Sequence, residues 1–297
     1  MPENGTWVTF YQSINKMQIF FENDTRVGGP SKLIKNLKMG LDLVNEEYEC
    51  NPSEINLKDK ILFTQNHPLL NFCDLSNVII GPNICVLPID SKIVMEQKYS
   101  KIITPCDWVY NKYKKWINED KIVIWPVGID TNLFRDTSKD EKNYDCLIYV
   151  KNRTPEELEF VMEMMAEFDQ TFNVVRYGSY NEEMFLDSIS KSRYCFMLDN
   201  TESQGIATQE ILSSNLPMFT WDINYWDHRG NEYTVPATSV PYWDSTCGEK
   251  LIGINKNDIK ELFSTFLSRQ NEYKPRYFIE KNLNLKQRAK QLLSFYN

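Results

Sequence analysis

The chain has 297 residues, 42% of them hydrophobic and 13% aromatic, which is enough for sizeable cores and argues against a disordered chain. Its formal net charge of −8 argues against the broad basic surface that nonspecific nucleic-acid binding needs. An acidic chain that binds an anion must gather its cations locally, so Lys and Arg near glycine turns carry weight.

The N-terminus, Met1-Pro2-Glu3-Asn4-Gly5, lacks the basic and apolar regions of a signal peptide. No run approaches the ~20 apolar residues of a membrane span. A cytoplasmic protein is expected, with peripheral membrane contact left open. The seven cysteines are scattered and form no C-x-x-C pair, which reads as small buried hydrophobes in a reducing compartment. His67 and His228 are the only histidines, so no metal site is expected.

Thr6 to Tyr11 is aromatic and β-branched, a predicted first strand, and Lys16 to Phe21 is a second. Gly28-Gly29 precedes Leu33, Ile34, Leu37, Leu41 and Val44, whose spacing predicts an amphipathic helix from near Ser31. Glycines ahead of a helix let backbone approach a ligand, although an ordinary loop fits them too. Lys60 to Gln65, Val78 to Asn83, Lys101 to Pro105 and Ile122 to Pro126 are continuous apolar runs, with a helix expected across Trp108 to Trp116. Such runs alternating with helices predict a parallel sheet covered on both faces. The strand tips of that sheet gather on one edge, and His67 follows one of them.

Arg135 to Lys142 is polar and charged, and reads as a linker. A fresh strand at Asp145 to Val150 leads into Lys151, Arg153 and a capped helix start at Thr154-Pro155-Glu156-Glu157. Lys151 and Arg153 are thus local cations at a strand's carboxyl end, or simply solvated loop charges. Phe172 to Gly178 is the next strand and turn, followed by a helix from Asn181 to Ser190. Tyr194 to Leu198 then hands over to Asn200 to Glu210 and a helix across Ile211 to Ser214. Two glutamates, Glu202 and Glu210, flank Gly205 where strand becomes helix, a place suited to anions. A plain helix cap with a solvated Glu on each side fits the same residues. Pro217 to Trp221 is a further strand, another is expected near Val240 to Tyr242, and helices are expected from Asp258 to Leu267 and from Phe278 to Tyr296.

The segment Glu202-Ser203-Gln204-Gly205 with Glu210 and Pro217, together with Pro126-Val127-Gly128-Ile129-Asp130 and Phe134, resembles the retaining family 4 glycosyltransferases of the GT-B fold. The compact size is similar to enzymes of large algal viruses (chloroviruses), which would place the protein in a host cytoplasm. The resemblance implies an α/β fold of two Rossmann-like domains with parallel sheets facing across a cleft. Residues 1–136 would form the acceptor side and 143–275 the donor side, with 276–297 a helix packing back onto the first domain. It implies metal-independent transfer of mannose or glucose from a nucleotide sugar to a glycan, glycoprotein or other hydroxyl acceptor. GDP-mannose is favoured over UDP-glucose as that substrate, and no cofactor is implied.

Within this resemblance, Glu202 would meet the transferred sugar and Glu210 the ribose. Gly205, Ile206 and Ala207 would offer backbone N–H groups, with Ser203, Gln204, Gly28, Gly29 and Gly178 also at the donor. Lys151 and Arg153 would neutralise the leaving diphosphate. The family's first-domain histidine would be His67, or its place would be taken by Asn83. A noncatalytic nucleotide-sugar binder and an epimerase on the same fold stay open as alternatives, as does a homodimer.

Overall fold

The computed structural model describes residues 16–22, 28–71, 75–253 and 255–296. The strand expected at Thr6 to Tyr11 lies outside them. The first half carries β1 (Met17–Phe20), β2 (Tyr48–Cys50), β3 (Lys60–Gln65), β4 (Val78–Asn83), β5 (Lys101–Thr104) and β6 (Ile122–Ile124). They form one six-stranded parallel sheet in the order β2-β1-β3-β4-β5-β6. Helices α1 (Gly29–Asp42), α2 (Lys92–Glu96) and α3 (Asp107–Tyr113) accompany it.

The second half carries β7 (Tyr144–Lys151), β8 (Phe172–Arg176), β9 (Ser192–Asp199), β10 (Met218–Asp222), the two-stranded hairpin β11 (Tyr225–Trp226) and β12 (Val235–Pro236), and β13 (Gly248–Ile252). Its main sheet is parallel in the order β13-β10-β9-β7-β8. Helices α4 (Pro155–Glu167), α5 (Glu182–Ser190), α6 (Ile206–Ser213), α7 (Lys256–Arg269), α8 (Pro275–Asn282) and α9 (Leu285–Ser294) complete the chain. Two Rossmann-like α/β sheets are therefore present, as expected. The strand order of the second sheet reverses between β7 and β9, so a crevice opens at their carboxyl ends.

Local chemistry explains most boundaries. Thr154 Oγ1 accepts from Glu157 N at 3.2 Å while Glu157 accepts from Thr154 N at 2.8 Å, a reciprocal cap that starts α4. Helix α1 buries Leu33, Leu37 and Leu41 on one face, each contributing about 1.5–3 kcal/mol. That face belongs to an apolar cluster that continues through Trp125, Val127, Ile129 and Phe134 into Leu147, Tyr149 and Ile206 of the second half. One core thus spans both sheets.

Two sequence expectations need correction, and one strand was not expected. No strand forms at Val240 to Tyr242; the pairing falls instead to β11 and β12. The edge strand β13 carries no apolar run, and its pairing with β10 defines it. The expected helix from Phe278 to Tyr296 is two helices. Leu283 O accepts from Ile129 N at 2.8 Å, and Asn284 caps α9 by accepting from Gln287 N at 2.9 Å. The break lets α9 turn back onto α1 and the first half. Trp125 Nε1 donates to Arg288 O at 2.7 Å, and Tyr296 OH donates to Ile61 O at 2.9 Å. Arg276 of α8 donates to Phe134 O, Ser213 O and Thr131 O at 2.7–3.1 Å, tying the junction to α6. Among the described residues, no helix is long and apolar enough to cross a membrane.

Gly128 makes this return possible, because a Cβ there would stand 2.5 Å from Leu285 Cα. Backbone would have to move, so Gly128→Ala is expected to cost about 1–3 kcal/mol in denaturant unfolding. Gly29→Ala meets nothing within 4 Å and removes a glycine from α1, so it should leave stability unchanged or raise it by up to about 1 kcal/mol.

Candidate functional site

A cleft of about 380 Å³ lies at the carboxyl ends of β7 and β9 and faces the start of α1. Two helix N-termini meet there. The first is α1, capped at Gly28, where Ser31 Oγ accepts from Gly28 N at 3.1 Å. The second is α6, whose N-cap Gly205 adopts φ 63° and ψ 39°. That left-handed geometry disfavours a side chain, and a Cβ would also stand 3.3 Å from Pro241 Cδ. With this turn α6 begins at Ile206, five residues before the expected Ile211. Both helix starts place partial positive charge toward the cleft.

Of the expected site residues, Gly28, Gly29, Lys151, Gly178, Glu202, Ser203, Gln204, Gly205, Ile206 and Ala207 all line this cleft. The Glu202 loop is fixed from two sides. Glu202 N donates to Thr238 O at 3.1 Å, and Trp108 Nε1 of the first half donates to Glu202 O at 2.8 Å. The Glu202 carboxylate pairs with Lys151 Nζ, which also lies 4.6 Å from the Tyr177 ring centroid. Burial pulls the Lys151 ammonium downward, opposed by Asp199. Gln204 Oε1 accepts weakly from Val127 N at 3.4 Å, and its Nε2 is buried without a hydrogen-bond partner.

Glu210 sits behind the lining, at 2% exposure. Lys32 of α1 reaches across the cleft and donates to both Glu210 oxygens at 2.6 Å. Burial pushes this carboxyl from 4.5 up to about 7, although Lys32 pulls it down. The geometry is that of an ion pair, and the two opposing influences leave the proton loosely decided near neutrality.

Two expected residues stand elsewhere. His67 packs against Phe20 and Phe63, with ring centroids 5.3 and 5.8 Å away, and its Nδ1 accepts from Leu69 N. It does not line the cleft, whereas Asn83 at the tip of β4 does. Arg153 is committed to structure: it donates to Asp199 O at 2.9 Å, to Trp221 O and to Glu157 Oε1 at 2.8 Å. Its guanidinium stitches the tips of β9 and β10 to the start of α4 and is spent there.

The sequence reading missed Lys32, Asp199 and Tyr149; Tyr149 completes a wall with Tyr177 and Tyr180, whose loop the sequence does mark as a candidate for base selectivity. Tyr149 and Tyr180 share a hydroxyl contact at 3.2 Å. Asp199 ends β9, and the strand-tip rule alone would have marked it. Lys32 lies one turn past Gly28-Gly29 but carries no signal of its partner. Among the described residues, no group of three His, Cys, Asp or Glu is placed to hold a metal.

No protein-family model matches the chain, and no curated protein sequence resembles it significantly. Solved structures do resemble its fold. The Anabaena protein HepE, solved with UDP and glucose, superposes with a TM-score of 0.59 at 8% identity over 94% of this chain and 98% of its own. Sucrose-phosphate synthase from Thermosynechococcus elongatus gives 0.57 at 11% identity, covering 95% and 98%. The lipopolysaccharide outer core galactosyltransferase WaaB gives 0.57 at 11% identity, covering 94% and 98%. The fold is therefore the GT-B arrangement of two Rossmann-like domains.

Burial also pushes Asp199 from 3.8 up to about 7. Between about pH 4 and 7 the folded chain thus keeps protons on Asp199 and Glu210 that the unfolded chain has released, so stability falls as pH rises through that window. The ligand-free protein is expected to show a lower urea midpoint at about pH 8 than at about pH 5.5, and the double variant Asp199→Asn, Glu210→Gln a smaller difference.

Proposed function

We propose that the protein is a glycosyltransferase that binds a nucleotide sugar in this cleft and passes the hexose to a hydroxyl acceptor. The observation that carries the reading is the convergence on one cavity of the α6 N-terminus, Lys151, Glu202 and, just behind, the Lys32–Glu210 pair. A diphosphate would take the N–H groups at Gly205, Ile206 and Ala207 together with Lys151. Gln204 Nε2, a buried donor without an acceptor, would be satisfied by a ligand oxygen.

Glu210 would accept from the ribose hydroxyls. An ionised carboxylate has about four acceptor positions, so it accommodates hydroxyls beside Lys32. Glu202 would meet the hydroxyls of the sugar, and Asn83 from the first half supports a further sugar contact in place of His67. The wall of Tyr177, Gly178 and Tyr180 would face the nucleoside, where an aromatic ring offers a stacking surface.

As the sugar–phosphate bond breaks, charge grows on the diphosphate. Fixed donors and a cation stabilise that state more than the ground state, which is what accelerates the step. The transfer is proposed to be metal-independent and retaining, with the acceptor attacking on the side that the diphosphate leaves. Its proton would pass to a diphosphate oxygen. HepE was solved with UDP and glucose, so UDP-glucose belongs beside GDP-mannose among the donors to test.

Calorimetry against UDP-glucose, GDP-mannose and the free diphosphates tests the assignment. Glu210→Ala is expected to weaken nucleotide binding about 10–100-fold, the worth of hydrogen bonds to a charged group. Glu202→Ala should leave diphosphate affinity nearly intact and remove the added affinity conferred by the sugar. Unchanged affinity of Glu210→Ala for every nucleotide that binds the parent would sink the ribose assignment. NMR of the product anomeric proton checks retention.

A further inference from the structure

Asp199 and Lys151 end neighbouring parallel strands and are registered partners in the ladder between β7 and β9. Partners in adjacent strands present their side chains to the same face, so the two groups share one corner of the cleft floor. Asp199 is 2% exposed as a residue, and its Oδ1 accepts from Asn200 N at 2.7 Å. No hydrogen bond among the described residues reaches its Oδ2.

The charged and titratable groups facing Asp199 are Lys151 and Arg153 at the end of β7, Tyr149 on β7 and Tyr180 ahead of α5, while Glu202, on the loop beyond Asn200, reaches the same corner through its pair with Lys151. Arg153 is paired with Glu157, and Lys151 is paired with Glu202. One ammonium therefore serves two carboxyl groups. With both ionised, the floor carries a net negative charge and repels a diphosphate. With Asp199 protonated, it is neutral and holds one more hydrogen-bond donor.

We propose that Asp199 is a further donor-site residue that holds a proton when a nucleoside diphosphate is bound, donating a hydrogen bond from Oδ2 to a phosphate oxygen while Lys151 faces the same phosphate. This rests on reading the cleft as a nucleotide-sugar site. Burial supports it, since it outweighs the pull of Lys151 and Arg153 and sets the carboxyl near neutrality. Above about pH 7 the ionised Asp199 must take up a proton before the diphosphate binds, so affinity falls about tenfold per pH unit. Glu210 acts in the opposite sense, because the ribose needs its ionised form. Affinity is then bell-shaped around neutrality, with the alkaline limb belonging to Asp199.

The test is calorimetry with UDP and with GDP at about pH 8.5, in two buffers of different ionisation enthalpy. The wild-type chain is expected to take up about one proton per nucleotide bound, and Asp199→Asn to abolish that uptake and bind about 30-fold more tightly than wild type at the same pH. Binding without proton uptake by the wild type overturns the proposal and does not depend on whether the variant folds. An alkaline limb that persists in a folded Asp199→Asn protein overturns it too. If neither diphosphate binds at any pH from about 5.5 to 9, the nucleotide reading of the cleft falls first and takes this proposal with it.

Discussion

The Lys32–Glu210 ion pair joins the two halves of the molecule across the cleft, and the electrostatics of the cavity follow from it. Glu210 is almost wholly buried, and an uncompensated charge at that depth costs several kcal/mol. The compensation comes from α1, on the other sheet. A buried acid on one side and a reaching base on the other favour the closed arrangement of the halves. They also leave carboxylate acceptor positions beside the ammonium. Lys151 repeats the arrangement on the opposite flank, with Glu202 as its partner and Asp199 as a second claimant. In a chain of net charge −8, these two lysines and two helix N-termini are the positive groups at the cleft, and each lysine is matched by a carboxylate.

Packing makes that electrostatic arrangement durable. A single apolar cluster runs from the α1 face through Trp125 and Phe134 to the second sheet. The return of α9 onto α1, close against Gly128 and Gly40, fixes α1 from behind. Lys32 therefore projects from a helix held on several sides. Arg276 and Arg153 direct their guanidinium groups to backbone carbonyls and to one carboxylate each, Glu280 and Glu157. They hold strand tips and helix starts in place, and neither lines the cleft.

Much was legible in the sequence itself. The alternation of continuous apolar runs with amphipathic segments marks two parallel sheets, because buried parallel strands need apolar residues on both faces. The start of α4 is written in Thr154 to Glu157, and ten of the cleft-lining residues lie in glycine turns and strand ends that the sequence marks. These signals are local: each depends on residues within a few positions of one another.

Only the tertiary structure decided which side chains meet. Lys32 and Glu210 are 178 positions apart, and nothing near either names the other. His67 and Asn83 stand at adjacent strand tips, yet His67 packs its ring at a tilt against Phe20 and Phe63 while Asn83 lines the cleft. Lys151 and Arg153 look equivalent in sequence, but the carbonyls that capture Arg153 are backbone atoms without a sequence signature. The sequence by itself determined the elements, since periodicity and capping act between neighbours. The placement of one sheet against the other decided the pairing of charges, since burial and Coulomb attraction depend on distance in space and not along the chain.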